Sequence, residues 1–303
     1  MSDRAGELRN LPRVGRGMLK LSASGRGTHY TRKRGIVEAV LRALYRGDWP
    51  ARLWAIVPDR CSVHVIRRTL RVLPAGTPDL RVGFASDLHI GPTTPGRLLD
   101  CAADQLAAED VDVLLLGGDY VFLEATAAKA RALDAFVRRA RAKRTIAVLG
   151  NHDLWTSHDA LERSLEGAGA ELVINTHVRL ASPHEQVAVV GLDEPWTGAP
   201  DADLAFRGAE MAGVRVALCH SPDGLPLIEG RDVALFVCGH THGGQVALPW
   251  GPVVVPGRIG KAMPSGFHEA HGAHIFVSRG LGGTEVPIRT FARPDVAVLT
   301  LTS

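Results

Sequence analysis

The sequence predicts an α/β fold in which a parallel β-sheet packs against a second sheet. In residues 80–150, short apolar runs alternate with helical patterns, and the second half of the chain is richer still in apolar runs. Continuous apolar strands separated by helices imply βαβ crossovers and a parallel sheet buried on both faces. With 303 residues, 46% of them hydrophobic, the chain is long enough to bury a sizeable core.

The N-terminal residues 1–34 are rich in Gly, Arg and Ser and show little periodicity, which predicts a flexible basic tail. Residues 1–50 carry 11 basic and four acidic residues, a net charge of +7, which leaves the rest of the chain at net −4. A mildly acidic body lacks the basic face with which nucleic-acid-binding proteins contact phosphates. We therefore expect no specific nucleic-acid binding.

A short amphipathic helix and a linker are predicted within residues 35–59. Arg42 and Arg46 lie off the apolar stripe of this helix. The stripe consists of Ile36, Val37, Val40, Leu41, Leu44 and Tyr45. The helix either docks on the body of the protein or, together with the basic tail, anchors it to an anionic membrane surface.

The rest of the chain, residues 60–303, is predicted to be one domain whose strands end in polar residues. The first three strands lie in "RVGFASDLH", "VDVLLLGGD" and "TIAVLGNHD", with helical patterns between them. Further strands lie in "QVAVVGLDE", "VRVALCHSP", "VALFVCGHTH", "HIFVS" and "VAVLTL". Because the carboxyl ends of parallel strands line the ligand crevice of an open sheet, these polar ends should converge.

Carboxylate, imidazole and amide side chains recur at five strand ends, each directly after an apolar run. In chain order they are Asp87 with His89, Asp119, Asn151 with His152 and Asp153, His220, and His240 with His242. Mixed nitrogen and oxygen ligands without thiolate suit Mn²⁺, Fe or Zn²⁺ better than Mg²⁺. The pattern therefore predicts a site for two divalent metal ions, with manganese as the first expectation.

The order and spelling of these motifs resemble the calcineurin-like metallophosphoesterases, whose signature reads D-x-H, G-D, G-N-H-D/E, H and G-H-x-H. The resemblance covers roughly residues 60–303. The segments "SDLHIGP", "GGDYV", "GHTHGGQV", "VSRGLGGT" and "RPDVAVLTL" are most similar to a bacterial branch with YkuE-type and YaeI-type phosphoesterases and the lipid pyrophosphatase LpxG. The resemblance implies a four-layer α/β/β/α sandwich of two mixed β-sheets, with the metals at one edge.

The resemblance also implies a role for each residue of the pattern. One metal ion would be held by Asp87, His89 and His242, the other by Asn151, His220 and His240, and Asp119 would bridge both. His152 would stay off the metals and protonate or stabilise the leaving oxygen, with Asp153 orienting its ring. Arg279 in "SRGLGG" is a candidate ligand for a substrate phosphate. Phe122 stands where many family members carry a second acidic residue.

These roles imply a dinuclear metal-dependent phosphohydrolase that cleaves a phosphodiester or pyrophosphate bond by attack of a metal-activated water. The branch points to a phosphorylated small-molecule or lipid-linked substrate, such as a UDP-diacylglucosamine, and the basic amphipathic N-terminus fits work at a membrane surface. Two alternatives stay open. One is a soluble cyclic-nucleotide or general phosphodiesterase, and the other is a metal-binding interaction scaffold without turnover.

Cysteine usage and the absence of targeting patterns predict the compartment. The four cysteines form no CxxC pair and lie mostly in apolar runs, as buried thiols do in a reducing compartment. They are Cys61, Cys101, Cys219 and Cys238. The sequence shows no secretory signal pattern and no apolar run of ~18 residues. We expect a cytoplasmic protein, or one held peripherally at the inner face of the membrane.

Overall fold

Two six-stranded β-sheets form the centre of the protein in the computed structural model, which describes residues 27, 29–56 and 62–303. Most of the predicted basic tail and Cys61 lie outside the described residues. In spatial order the first sheet contains β1 (His64–Arg71), β14 (Asp295–Thr302), β2 (Leu80–Ala85), β3 (Val113–Leu116), β4 (Arg144–Ala147) and β5 (Ala170–Leu172). Strand β14 runs antiparallel to β2, and the other neighbours are parallel.

The second sheet is also mixed. In spatial order it contains β12 (Gly266–Ala270), β13 (Ala273–Val277), β9 (Leu235–Cys238), β8 (Val214–Leu218), β7 (Val187–Gly191) and β6 (Thr176–Arg179). Its four central strands are parallel, and the two edge strands β12 and β6 are antiparallel to their neighbours. A separate short hairpin joins β10 (Ala247–Leu248) to β11 (Gly251–Pro252).

Helices cover the outer faces of both sheets. On the first sheet lie α3 (Gly96–Ala108), α4 (Ala127–Ala140) and α6 (Asp159–Gly167), and on the second lie α7 (Ala202–Phe206) and the 3₁₀ turns Ala209–Met211 and Pro222–Ile228. Helix α4 begins after Thr126, whose side chain accepts a hydrogen bond from the backbone N–H of Lys129. The predicted four-layer α/β/β/α sandwich is therefore confirmed.

Three apolar cores separate the four layers. The central core lies between the two sheets, where the rings of Phe84 and Phe276 meet edge to face with centroids 6.1 Å apart. An outer core packs the helices on the first sheet around Leu106 and Phe136, and another packs the short helices on the second sheet around Phe206. All four residues of β3 are buried, which explains its uninterrupted apolar sequence.

The N-terminal helix α1 (Arg32–Leu44) docks on the body of the protein through one edge of its apolar stripe. Tyr45 is buried with Phe122 and Leu123, Leu41 packs against this cluster, and the Tyr45 hydroxyl donates to the backbone carbonyl of Glu285 at 2.5 Å. The rest of the stripe is exposed: Ile36, Val37, Val40 and Leu44. Helix α1 is followed by α2 (Trp49–Ile56), and none of the described helices is long and apolar enough to cross a membrane.

Candidate metal centre

Seven predicted ligands meet at the edge of the sandwich where the parallel strands of both sheets end. Asp87 and His89 follow β2, Asp119 follows β3, Asn151 begins the short helix α5 (Asn151–Leu154) after β4, His220 follows β8, and His240 and His242 follow β9. All seven residues are buried. The seven side chains therefore come from both sheets and converge at this edge.

The first cluster consists of Asp87, His89 and His242, whose ligand atoms all lie within 4.8 Å of one another. The Nε2 atoms of the two histidines are 3.1 Å apart, and Oδ1 of Asp87 is 3.5 Å from Nε2 of His242. Two ligand atoms each ~2.1 Å from the same ion are about 3.0 to 3.4 Å apart at octahedral and tetrahedral angles. The third separation, from Oδ1 of Asp87 to Nε2 of His89, is 3.9 Å, so the carboxylate must move slightly closer for all three side chains to hold one divalent ion.

The second cluster is centred on Nε2 of His220. This atom lies 3.1 Å from Nδ1 of His240, 3.1 Å from Oδ1 of Asn151 and 3.3 Å from Oδ2 of Asp119. The same Oδ2 atom of Asp119 is 3.6 Å from Nε2 of His89 in the first cluster. Oδ2 of Asp119 thus lies within 3.6 Å of a ligand nitrogen in each cluster, and its role as the bridging ligand, implied by the family resemblance, stays a prediction.

The hydrogen bonds of His220 show why this cluster requires a cation. Its Nδ1 atom is 2.7 Å from the carbonyl oxygen of Gly117, which can only accept, so Nδ1 carries the proton. In the neutral ring the lone pair of Nε2 then faces the oxygens of Asn151 and Asp119, which also have only lone pairs to offer. Converging lone pairs in a buried site are stabilised by a positive charge, and a divalent metal ion supplies it.

Burial and neighbouring charge separate the pKa values of the ligands. Burial lowers the pKa of His240 to about 3 and raises that of Asp87 to about 6. Burial would also lower the pKa of His220, but the Asp119 carboxylate and its hydrogen bond outweigh burial and raise it to about 10. In the metal-free protein the His220 imidazolium therefore provides the positive charge, and a metal ion must displace its proton.

The backbone at the site is strained in a way that ordinary loops avoid. Five of the seven ligands have positive φ angles: Asp87 (53°), His89 (43°), Asp119 (56°), His240 (71°) and His242 (53°). Such left-handed conformations cost free energy in residues with a Cβ and persist where the surrounding fold enforces them. Gly118, with φ of 87°, and Gly150 let the loops after β3 and β4 approach closely, because a Cβ at Gly150 would overlap Oδ1 of Asp119.

His152 lies beside the two clusters. A ring nitrogen of His152 is within 4.8 Å of ligand atoms of His89 and Asp119, and its backbone N–H donates to Oδ1 of Asp119 at 2.8 Å. Phe122 is fully buried with its ring centroid 5.8 Å from that of His152. An apolar ring thus occupies the position where many family members carry an acidic residue.

The hydrogen bonds of Asp153 are with backbone groups and not with His152, whose ring it was predicted to orient. Its carboxylate accepts hydrogen bonds from the backbone N–H groups of Asp119 (2.8 Å), Tyr120 (2.9 Å) and Gly150 (3.0 Å), which joins the loops after β3 and β4. The role of Asp153 is therefore corrected to that of a buried anchor beneath the bridging ligand.

Three arginines lie around the centre, and sequence reasoning identified only one of them. Arg279 is 3.4 Å from Oδ2 of Asp295, and its binding of a substrate phosphate stays a prediction. Arg289 is buried and donates to Nδ1 of His242 at 2.9 Å. Nη2 of Arg34 in α1 lies 3.5 Å from Nδ1 of His152. Arg34 and Arg289 lie outside the strand-end motifs, so no local signal marked them.

The chain is similar to known proteins of one family. The model of the calcineurin-like phosphoesterase family matches residues 80–244, more than half of the chain.

Phosphodiesterase YaeI of Escherichia coli (strain K12) is 29% identical over 242 residues, covering 78% of this chain and 88% of the relative. Two metallophosphoesterases of Bacillus subtilis (strain 168) are also similar. YkuE is 28% identical over 244 residues, covering 79% of this chain and 84% of YkuE. YkoQ is 31% identical over 229 residues, covering 72% of this chain and 82% of YkoQ. As its motifs predicted, the chain belongs to the calcineurin-like phosphoesterase family and is a metal-dependent phosphoesterase.

Proposed function

We propose that the protein hydrolyses a phosphodiester or pyrophosphate bond with two divalent metal ions, manganese being the first candidate and iron or zinc the alternatives. The observation that carries the proposal is the position of Oδ2 of Asp119, 3.6 Å from His89 in one ligand cluster and 3.3 Å from His220 in the other. When bound, two ions at such a site supply an activated water and neutralise the charge on the phosphoryl oxygens.

The chain itself supplies positioning and an additional donor. The clusters fix the ligand atoms through buried hydrogen bonds, such as that from Nδ1 of His220 to the carbonyl of Gly117. His152 belongs to neither bridged cluster in the assignment that the family resemblance implies. Its ring lies beside both His89 and Asp119, where it could donate to an oxygen of a phosphate bound between the clusters. We assign it to stabilising the leaving oxygen.

The surroundings of the site favour a substrate with an apolar portion. A cleft of about 360 Å³ begins at His242, and much of its wall consists of aliphatic side chains: Val246, Val253, Val254, Pro256 and Val286. Phe291, which forms a β-bridge with the lining residue Val246, is 70% exposed, and Trp250 in the turn between β10 and β11 is 82% exposed. Apolar side chains at an active-site entrance stabilise the bound form of an amphiphilic substrate. This supports a lipid-linked substrate, of which a UDP-diacylglucosamine is one example.

The exposed apolar face of α1 supports a membrane location for the same reaction. Ile36, Val40 and Leu44 face outward, and Lys33 and Arg42 on the same helix are exposed and basic. A helix with exposed apolar residues and basic neighbours binds the interface of an anionic membrane. The docking of α1 on the body favours the second candidate, a soluble phosphodiesterase. Leu41 and Tyr45, at one edge of the apolar stripe, already pack against the body and are not available to a membrane. The scaffold alternative is not retained for a member of this enzyme family.

Substrate profiling of the protein reconstituted with Mn²⁺ tests these candidates. The substrates are bis-p-nitrophenyl phosphate, p-nitrophenyl phosphate, a cyclic nucleotide and UDP-diacylglucosamine in mixed micelles, with Zn²⁺ and Fe²⁺ loading in parallel. We expect hydrolysis of the diester and the lipid-linked diphosphate, and little of the monoester. Faster turnover of the cyclic nucleotide than of the lipid would support the soluble phosphodiesterase. Inactivity toward all four substrates with every metal would contradict the proposal.

A further inference from the structure

The N-terminal helix α1 places an arginine at the entrance of the metal centre. Arg34 lies in the first turn of α1, after Thr31, whose side chain accepts a hydrogen bond from the Arg34 backbone N–H. Its side chain is only 18% exposed, and its guanidinium carbon lies 4.6 Å from the ring centroid of Trp155. Nη2 points to His152, with 3.5 Å between it and Nδ1. Arg34 thus contacts His152, whose ring itself lies beside both ligand clusters.

Two carboxylates hold the other edges of this guanidinium. Nε donates to Glu38 at 3.0 Å within the same helix, and Nη1 donates to Glu285 at 2.6 Å. The two acids differ in their surroundings. The Glu38 side chain is 2% exposed and also accepts from the hydroxyl of Tyr30, whereas the Glu285 side chain is 40% exposed at the edge of the apolar cleft. Glu38 is therefore the buried partner of Arg34, and Glu285 is the more exposed of the two carboxylates.

We propose that Arg34 binds an anionic leaving group, so that the site selects substrates in which a second phosphate follows the scissile bond. In the substrate-free protein the Glu285 carboxylate occupies the position that the leaving phosphate takes. This inference rests on the proposed function, and it identifies the pyrophosphate class as the substrate. Hydrolysis breaks the bond between the attacked phosphorus and the bridging oxygen, water supplies the new P–O bond, and the second phosphate departs with that oxygen.

The geometry assigns Arg34 to the leaving phosphate rather than to the attacked one. The attacked phosphate would lie against the two ligand clusters, whose metal ions would neutralise its charge, and His152 lies beside these clusters, where it would face the leaving oxygen. Nη2 of Arg34 approaches Nδ1 of His152 at 3.5 Å, so a group attached to an oxygen held beside His152 would come within reach of the guanidinium. A guanidinium matches phosphate oxygens in charge and in planar donor geometry, and stacking on Trp155 keeps its plane fixed.

The alternative role for Arg34 is to attach α1 to the body of the protein. Tyr45 offers a matched control, because its hydroxyl also joins α1 to the loop at Glu285 but lies away from His152 in the contacts described. An attachment role predicts that Arg34→Met and Tyr45→Phe lower thermal stability alike and leave inhibitor recognition unchanged. The leaving-group role predicts a change in recognition for Arg34→Met alone.

The test measures inhibition of bis-p-nitrophenyl phosphate hydrolysis by UDP and by UMP, which differ by one phosphate, in the presence of excess free Mn²⁺. In Arg34→Met we expect the inhibition constant of UDP to rise about 10- to 100-fold, the loss of one charge-assisted contact, and that of UMP to change less than threefold. Arg34→Lys should fall between Met and wild type. Glu285→Gln, which removes the competing charge, should lower the UDP constant by up to about fivefold. Tyr45→Phe should match wild type for both inhibitors.

Metal content and thermal unfolding of each variant accompany these measurements. Equal changes for UDP and UMP in Arg34→Met, or weaker UDP inhibition in Glu285→Gln, would overturn the inference. If the proposed function itself is wrong, the wild-type protein will not hydrolyse bis-p-nitrophenyl phosphate with any metal. That result is distinct from a changed inhibition constant in the variants. A folded, metal-loaded Arg34→Met protein with wild-type UDP inhibition would reduce Arg34 to an attachment residue.

Discussion

Nε2 of His220, which follows a strand of the second sheet, lies 3.3 Å from Oδ2 of Asp119, which follows a strand of the first sheet. The contact joins the two sheets at the edge where the strands end, and both side chains are buried. The distances between ligands from different sheets depend on how the two sheets pack. A change in the central core should therefore alter the geometry of the site even when every ligand is intact.

Removing the bridging carboxylate and removing His152 should have different consequences. Asp119→Ala takes a ligand from both clusters, so we expect loss of bound metal and of activity together. His152→Ala leaves both clusters intact and should retain metal while kcat falls by about 10²-fold or more, the usual contribution of a positioned proton donor. Elemental analysis and steady-state kinetics on the same preparations measure this. Equal metal loss in both variants would make His152 a structural part of the site.

Metal affinity should rise with pH because of His220. Its pKa in the folded, metal-free protein is raised to about 10, above the ordinary value of 6.5, so the ring holds a proton there through pH 7 to 9. That proton stabilises the metal-free fold below pH 6.5, and the stabilisation is lost as the pH rises through 10. Metal binding must release it, so the apparent association constant should increase about tenfold per pH unit from pH 7 to 9.

Competition with a fluorescent chelator at pH 7, 8 and 9 measures this slope. A His220→Gln variant carries an amide that does not titrate, and its slope should be shallower by about one proton per metal. A pH-independent affinity in the wild-type protein would show that His220 is already neutral before the metal binds.

A methyl group at Gly150 should disrupt the metal centre. A Cβ at this position would overlap Oδ1 of Asp119 and approach its backbone nitrogen, so Gly150→Ala must displace the bridging carboxylate. We expect metal stoichiometry to fall by about half or more and stability to drop by about 1 to 3 kcal/mol, as in other overpacked sites. Gly96→Ala is the control, because a Cβ at Gly96 meets nothing within 4 Å. If Gly150→Ala binds metal as the control does, the two loops are more adaptable than the structure indicates.

Asp153→Ala should destabilise the fold more than it affects proton transfer. The carboxylate accepts backbone hydrogen bonds from Asp119, Tyr120 and Gly150, and deleting it leaves buried N–H groups without an acceptor. Such losses cost about 1 to 3 kcal/mol each, so the free energy of unfolding should fall by at least about 3 kcal/mol in urea denaturation. Wild-type stability combined with a large loss of kcat would restore the orienting role that was predicted from the sequence.

Vesicle binding should depend on the exposed face of α1. Replacing Ile36, Val40 and Leu44 with Ser removes apolar side chains that are each more than half exposed, so folding should be little affected. Binding to anionic vesicles in co-sedimentation should weaken by more than about tenfold, since burial of each side chain contributes about 1 kcal/mol or more. Met211→Ser, an exposed apolar substitution on the second sheet's side, should bind like wild type. Unchanged binding in the triple variant would remove the main support for a membrane substrate.

Strand ends were predictable because their signals are local. Asp87 and His240 each come two residues after the last residue of an apolar strand, and the rule that parallel strands present their carboxyl ends together places such residues near one another. The apolar stripe of α1 was predictable from a local signal as well, the helical spacing of its residues. Which edge of the stripe docks depends on Phe122 and Leu123, in another part of the chain. Periodicity identifies an apolar face without identifying its partner.

Contacts between distant segments could not be predicted in this way. Arg34 meets Glu285 across 251 residues of sequence and His152 across 118. Asp153 was misassigned for a related reason: its place next to His152 in the chain predicted a contact, whereas the backbone N–H groups that it accepts from converge only after β3 and β4 are paired. The sequence determines such contacts through the whole fold and not through any short motif.

Strand β14, the last described strand, lies between β1 and β2, which do not pair with each other. During synthesis β1 and β2 therefore emerge long before the strand that joins them, and each keeps an open edge until residues 295–302 are available. The loop that carries Arg289 to His242 precedes β14 directly. Completion of the first sheet and closure around the metal ligands thus come at the same late moment, which would delay the appearance of hydrolytic activity until the domain is fully translated.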